Sequence, residues 1–219
     1  MVYIYMLPAA FLAPVLHEWV KALTSTLLGD PTPRNHGYLS PNPLKYFEPI
    51  GFMFVLLFGF GWGRPVPTGA LHYKNRKVGV VITYTVPVVF SLLLGVASLI
   101  GASILTARVY GPVMDINMFF LLVNFPLWEP NLHLAGIILL SHFALININL
   151  AIFNLLPVYP LAANKILLLF SGPDAIAKLN HYEKPLQVIL ILGLAFGLAE
   201  RVLMPIALRI VGLVLGAVI

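Results

Sequence analysis

PVLHEWVKAL, residues 14–23, sets an imidazole and two charged side chains inside an otherwise apolar run. The run extends from residue 2 to residue 28, and His17, Glu18 and Lys21 are its only interruptions of this kind. On a helix, His17 and Lys21 stand at i and i+4 on one face, with Glu18 beside them. Ionisable groups at membrane depth are expensive, so the trio needs a reason. The bland reason is a helix end whose long side chains snorkel to the interface. The sharper one is a functional site.

The rest of the composition makes depth in a membrane the right frame. Of 219 residues, 60% are hydrophobic and 10% charged, and the mean hydropathy is +0.94. Soluble domains average about 25% charged residues. So apolar a chain uses lipid as its solvent. No separate targeting segment is expected, because the first run leads straight into the trio. There are no cysteines, which excludes disulfides, thiolate metal sites and cysteine nucleophiles. The net charge of +5 is spread over short loops and reads as topology signal rather than nucleic-acid binding.

Further apolar stretches follow at 49–63, 78–107, 132–156, 185–199 and 202–219. The stretch 49–63 is short of the roughly 20 residues of a full span and suits a re-entrant or protein-buried helix. The loop DPTPRNHGYLSPNPLKY, 30–46, is too rich in proline to be helical. FGWGRPVPTGALHY, 60–73, favours extended backbone with an exposed edge. The cluster Lys74, Arg76, Lys77 marks a cytoplasmic loop. The linker 108–131, with Asp115, Trp128 and Glu129, suits an interfacial position. The expected architecture is an all-α polytopic membrane protein. It has four to six transmembrane or half-spanning helices, a short extended or β segment near 60–73, and one membrane-embedded domain over 1–219. No internal repeat supports an inverted-repeat transporter.

Other polar residues lie within these runs. Asn147 and Asn154 are seven apart on one helix face, with Asn149 nearby, and such residues serve at least as often as hydrogen-bond glue between helices as in chemistry. His36, His72, His133, His142 and His181 are scattered, and no pair has the i, i+3 or i, i+4 spacing of a helical metal site.

Four blocks, in order, resemble the site-2 protease family of intramembrane zinc metalloproteases, in its small prokaryotic branch. LHEWVKA (16–22) stands where that family has His-Glu-x-x-His. GDPTPR through GYLSPNPLKYFEPIG (29–51) is similar to its Gly-Asp to Asp-Pro-x-Gly stretch. FGWGRPVP (60–67) matches Phe-Gly-Trp-x-Lys/Arg-Pro-Val-Pro. ININLAIFNLLPVYPLAANKIL (146–167) matches the signature that runs Phe-Asn-Leu-Leu-Pro-x-x-Pro-Leu-Asp-Gly. The resemblance implies a site in which two histidines and an aspartate bind zinc and the glutamate is general base.

Carried over position by position, the resemblance implies His17 as the first ligand and Glu18 as a vestigial base. Lys21 occupies the second ligand position, Ala162 the aspartate position and Ala163 the following glycine. Phe90 replaces an asparagine, and Tyr46-Phe47-Glu48 departs from the family's His-Asp-Pro. A catalytic zinc needs three protein ligands and an open position for water. Without it, water keeps a pKa near ~15.7 instead of about 7, and a carboxylate base has nothing acidic enough to deprotonate. No cofactor is therefore expected.

The charge balance survives these changes. Zinc at plus two faces two carboxylates in the family; here Lys21 faces Glu18 alone. The Lys21 ammonium is accordingly expected to replace the metal's charge, paired with Glu18 and hydrogen-bonded to His17. The resemblance further implies partner-binding residues at Trp62, Arg64, Pro65, Val66, Pro67, Asn154 and Pro157, where an extended segment pairs with a peptide. The expected role is a non-catalytic integral protein of the prokaryotic plasma membrane that binds or regulates transmembrane segments of other proteins. Two alternatives stand beside it. One is an active zinc endopeptidase drawing substitute ligands from His142 or Asn164. The other is a small transport protein built around Asn147, Asn149 and Asn154.

Overall fold

The computed structural model describes residues 2–40, 42–111, 113–124, 131–172, 176, 178–179 and 181–218. Helix α1 (Val2–Leu27) carries the trio and continues through Pro8 and Pro14. It stops at Gly29, whose φ of +100° suits glycine and strains other residues. Helix α3 (Pro49–Phe58) is shorter than its apolar stretch because Gly59 takes up the left-handed conformation at its C-terminus, with φ +73°. Helix α4 (Arg76–Tyr110) starts where Asn75 Oδ1 accepts the Val78 N–H at 3.2 Å. Helix α6 (Leu132–Phe153) starts the same way, with Asn131 Oδ1 accepting from His133 N–H at 2.9 Å.

The proline-rich loop is partly helical, contrary to the reading from composition. Thr32–Asn35 forms one turn, α2, and Pro43–Tyr46 a 3₁₀ turn. Both carry proline in the first turn, where its missing N–H has no partner to lose. The linker after α4 contains α5 (Ile116–Asn124), which buries Phe119 and Leu122. Trp128 and Glu129 lie outside the described residues. A further helix, α7 (Ala162–Leu169), follows the second signature. The chain ends in α8 (Glu183–Ala195), a π turn at Ala199–Leu203 and α9 (Met204–Val218).

Helices α4 and α6 are each long and apolar enough to cross a bilayer. The pair α8 and α9, bent by 74° at its break, adds a third span if taken as one. Helix α6 is the central column: 72% of its apolar window is buried, against 33% for α4. α4 packs along it and turns Leu93, Val89 and Ile104 outward, as a lipid-facing helix does. Close packing is visible at Gly95, where an added Cβ would stand 3.0 Å from the Ala144 carbonyl oxygen on α6. The architecture is that of an all-α membrane protein. Among the described residues there is no strand: 60–69 is irregular backbone and Ala70–His72 a 3₁₀ turn, so the expected β segment is absent.

Candidate functional site

Helix α1 supplies the center of the site. Lys21 Nζ stands 2.7 Å from Glu18 Oε1 and 2.6 Å from Oε2, one turn apart on a face turned into the protein. His17, Glu18 and Lys21 are 2%, 6% and 4% exposed, so the trio is buried rather than snorkelling. The expected hydrogen bond between Lys21 and His17 is not formed. The His17 Nδ1 pairs instead with Ser91 Oγ on α4, at 2.9 Å. The lysine reaches away from it, with Nζ 5.5 Å from the center of the Tyr84 ring, a cation–π distance.

The segment 60–69 runs along α1 and is pinned through its backbone. Arg64 N–H donates to the Tyr46 carbonyl at 2.8 Å, Val66 N–H to Glu18 Oε2 at 2.9 Å and Gly69 N–H to Asp30 Oδ2 at 2.7 Å. Gly51 and Gly61 permit this course. A Cβ on Gly51 would collide with the Trp62 carbonyl, and one on Gly61 with the Gly51 carbonyl. Pro65 and Pro67 have no N–H, and those of Arg64 and Val66 are already donated. On the backbone, residues 64–67 therefore keep only carbonyl acceptors for a partner, while the exposed Arg64 side chain adds donors.

Asp30 anchors the far end. It is fully buried and accepts from Ser25 Oγ at 2.7 Å and from Thr32 N–H at 2.9 Å besides Gly69. Ser25 spends its only proton on Asp30, so the Tyr73 hydroxyl, 2.8 Å away, donates to Ser25. Thr83 in turn donates to Tyr73 at 3.1 Å. Burial raises the Asp30 pKa, but the hydrogen bonds from Thr32, Gly69 and Ser25 outweigh it and hold the carboxyl below its ordinary range.

The second signature closes the site. Trp62 stacks on Phe153, with ring centers 6.2 Å apart and 12° between planes, directly before Asn154. Asn154 Nδ2 donates to the Leu150 carbonyl at 2.9 Å, and its Oδ1 accepts the Ala162 N–H at 3.3 Å. Ala162 packs in one apolar cluster with Tyr73, Val80 and Tyr84. Tyr84 thus adjoins both Lys21 and Ala162, and its hydroxyl pairs with Thr68 at 3.0 Å. Val66, Trp62 and Asn154 are buried here, while Arg64 and Pro157 are exposed and Pro65 and Pro67 half-buried.

Asn147 bonds the Phe143 carbonyl of its own helix, as Asn154 bonds that of Leu150; of the three asparagine amides on α6, that of Asn149 reaches another segment, at the Gly59 carbonyl. Tyr84, Ser91 and Asp30 were missed as site residues. The i, i+7 spacing of Tyr84 and Ser91 puts both on one face of α4 and was the available signal.

The donor set does not fit a catalytic zinc. Position 21 holds a lysine paired with Glu18, both Glu18 oxygens are engaged by donors and Ala162 has no donor atom, so His17 is the one ligand position kept. Among the described residues no three His, Cys, Asp or Glu side chains come together as a metal site. His142 bonds the Ile138 carbonyl at 2.8 Å and lines a cavity that the trio does not reach.

The fold is that of an all-α membrane protein, and the chain is similar in sequence to a protein described as a metalloprotease. It is 27% identical over 213 residues to the protein described as "Putative zinc metalloprotease YwhC" of Bacillus subtilis (strain 168), covering 92% of this chain and 84% of that one. No family model matches the chain, and no solved structure matches it.

Proposed function

We propose that this chain is a site-2-protease-like protein of the prokaryotic plasma membrane that no longer catalyses hydrolysis and instead binds or regulates membrane-embedded partners. One observation carries the reading: the Lys21 ammonium holds Glu18 at 2.7 Å, in the helical position where the resemblance calls for a metal ligand. A general base bound to an ammonium has its lone pairs committed, and an ammonium has none to offer a metal.

The partner-binding surface is the stretch 64–67. Its backbone carbonyls would accept N–H groups from an extended segment of another protein, and Glu18 fixes its position through the Val66 N–H. Burying those N–H groups in pairs is favorable in a bilayer, where unpaired backbone is costly.

The test is metal content of the purified protein, measured by mass spectrometry beside the double variant Lys21→His, Ala162→Asp. The expected result is no stoichiometric zinc in the natural chain and about one zinc per chain in the variant, since three ligands suffice for a catalytic site. About one zinc per natural chain would overturn the reading and restore an active endopeptidase with unrecognised ligands.

A further inference from the structure

Helix α9 packs on α4 and α6 and buries Ala207, Val211 and Leu215. With about 3.6 residues per turn, Pro205, Arg209, Gly212 and Gly216 fall together on the opposite face. That face is turned out of the protein. Arg209 and Gly216 are exposed, and Leu213 beside them is 76% exposed.

Arg209 is the unusual member. It stands near the middle of the apolar stretch Ala199–Ala217, about 12–15 Å from either end at ~1.5 Å per residue. Snorkelling serves lysines and arginines near helix ends, not at such depth. A guanidinium has no neutral form to fall back on. Cations within a membrane therefore turn inward, to a carboxylate or to backbone carbonyls. Arg209 turns outward. Among the described residues it enters no ion pair and no cation–π contact.

The two glycines shape the same surface. An added Cβ at Gly212 or Gly216 would meet no atom within 4 Å, so packing among the described residues does not require glycine at either position. Glycine weakens a helix interior, whereas on a membrane helix it lets a second helix approach closely. The pair lies about 4.5 and 10.5 Å beyond Arg209 along the helix axis.

We propose that this face of α9 docks a transmembrane helix of another protein, one that carries a carboxylate near the middle of its span. The carboxylate pairs with the Arg209 guanidinium, and the partner's backbone crosses over Gly212 and Gly216. A second copy of this chain is disfavored, because a twofold contact across this face sets two Arg209 cations together. Lipid phosphates lie at the level of helix ends, not at that of Arg209. The proposal extends the reading that the chain binds membrane-embedded partners. It uses neither the Glu18–Lys21 pair nor the stretch 64–67, so the metal measurement and the test below fail separately.

The test uses the full chain in phosphatidylcholine vesicles at pH 8, with a donor dye at its C-terminus. The probes are acceptor-labelled leucine–alanine transmembrane peptides that carry one central Glu, Gln or Lys. Energy transfer measures association. The Glu peptide is expected to bind about tenfold more tightly than the other two. Arg209→Gln removes that preference, and Gly212→Leu with Gly216→Leu weakens the Glu peptide by a similar factor. Because Arg209 faces outward, Arg209→Gln keeps the thermal midpoint of the natural chain. A lowered midpoint would show that the guanidinium is bonded within the chain and would overturn the proposal. Equal binding of the Glu and Gln peptides, a preference that survives Arg209→Gln, or indifference to the glycine substitutions would each overturn it too. Self-association of the chain that excludes the peptide and is lost in the double glycine variant would assign the face to a second copy instead.

Discussion

Lys21 and Glu18 form a buried ion pair within a single turn of α1, and the same carboxylate receives the Val66 N–H of the segment threaded beside it. One glutamate thus joins a charge pair to the course of the segment 60–69. Removing the lysine leaves a buried carboxylate without its cation. Lys21→Met is expected to destabilise the protein by about 3–5 kcal/mol, and Lys21→His to act in the same direction. Glu18→Gln added to Lys21→Met should recover much of the loss, because the pair is then gone together. Thermal unfolding in detergent measures both. An unchanged midpoint for Lys21→Met would show that the pair does not carry the charge of this site.

His17 depends on Ser91 across the α1–α4 contact. Ser91→Ala leaves a buried imidazole nitrogen unpaired and should destabilise by about 1–3 kcal/mol. Ser91→Thr, which keeps the hydroxyl, should lose less. Equal losses for the two would assign the effect to packing rather than to the hydrogen bond.

Gly51 and the Trp62 carbonyl touch so closely that no side chain fits between them. Gly51→Ala is expected to push the segment 60–69 away from α3. Hydrogen exchange reports this directly: the amides of Arg64 and Val66 should lose protection while those of α6 keep theirs. Retained protection at both would mean that α3 shifts instead.

Asp30 carries a pH dependence of definite sign. Its carboxyl titrates below the ordinary range in the folded protein. Its contribution is therefore complete above the unfolded carboxylate pKa and is lost as pH falls through the folded one. Asp30→Asn should lower stability near neutral pH, and the gap to the natural chain should narrow as the solution is acidified through the carboxylate range. Unfolding midpoints across that range test it. A gap independent of pH would show that the aspartate charge is not what the Ser25, Thr32 and Gly69 donors stabilise.

Much of this molecule is legible in its sequence, and the illegible parts share a cause. Apolar stretches announce helices α1, α3, α4 and α6, because a backbone in lipid has no other way to satisfy its own hydrogen bonds. Capping asparagines at 75 and 131 and the glycine at 59 set three of their ends. Helix α5 was hidden in a mixed linker, since nine residues with two buried side chains make a weak periodic signal. Segment 60–69 reads as extended from its prolines, yet it pairs with carboxylates and a loop carbonyl rather than with a strand. Local sequence states which donors a segment has and leaves open where they go.

The same division holds for the site. By itself, the sequence determined that His17, Glu18 and Lys21 lie within one turn, and that positions 21 and 162 hold an ammonium and a methyl group where the resemblance calls for ligands. Only the tertiary structure decided that Lys21 turns to Glu18 and Tyr84 while His17 turns to Ser91. Spacing along a helix fixes which side chains are neighbors; which neighbor each one bonds depends on the donors and acceptors that other helices bring within about 3 Å. Buried as they are, these side chains have no water to fall back on, so the packing of α4 against α1 chose the partners.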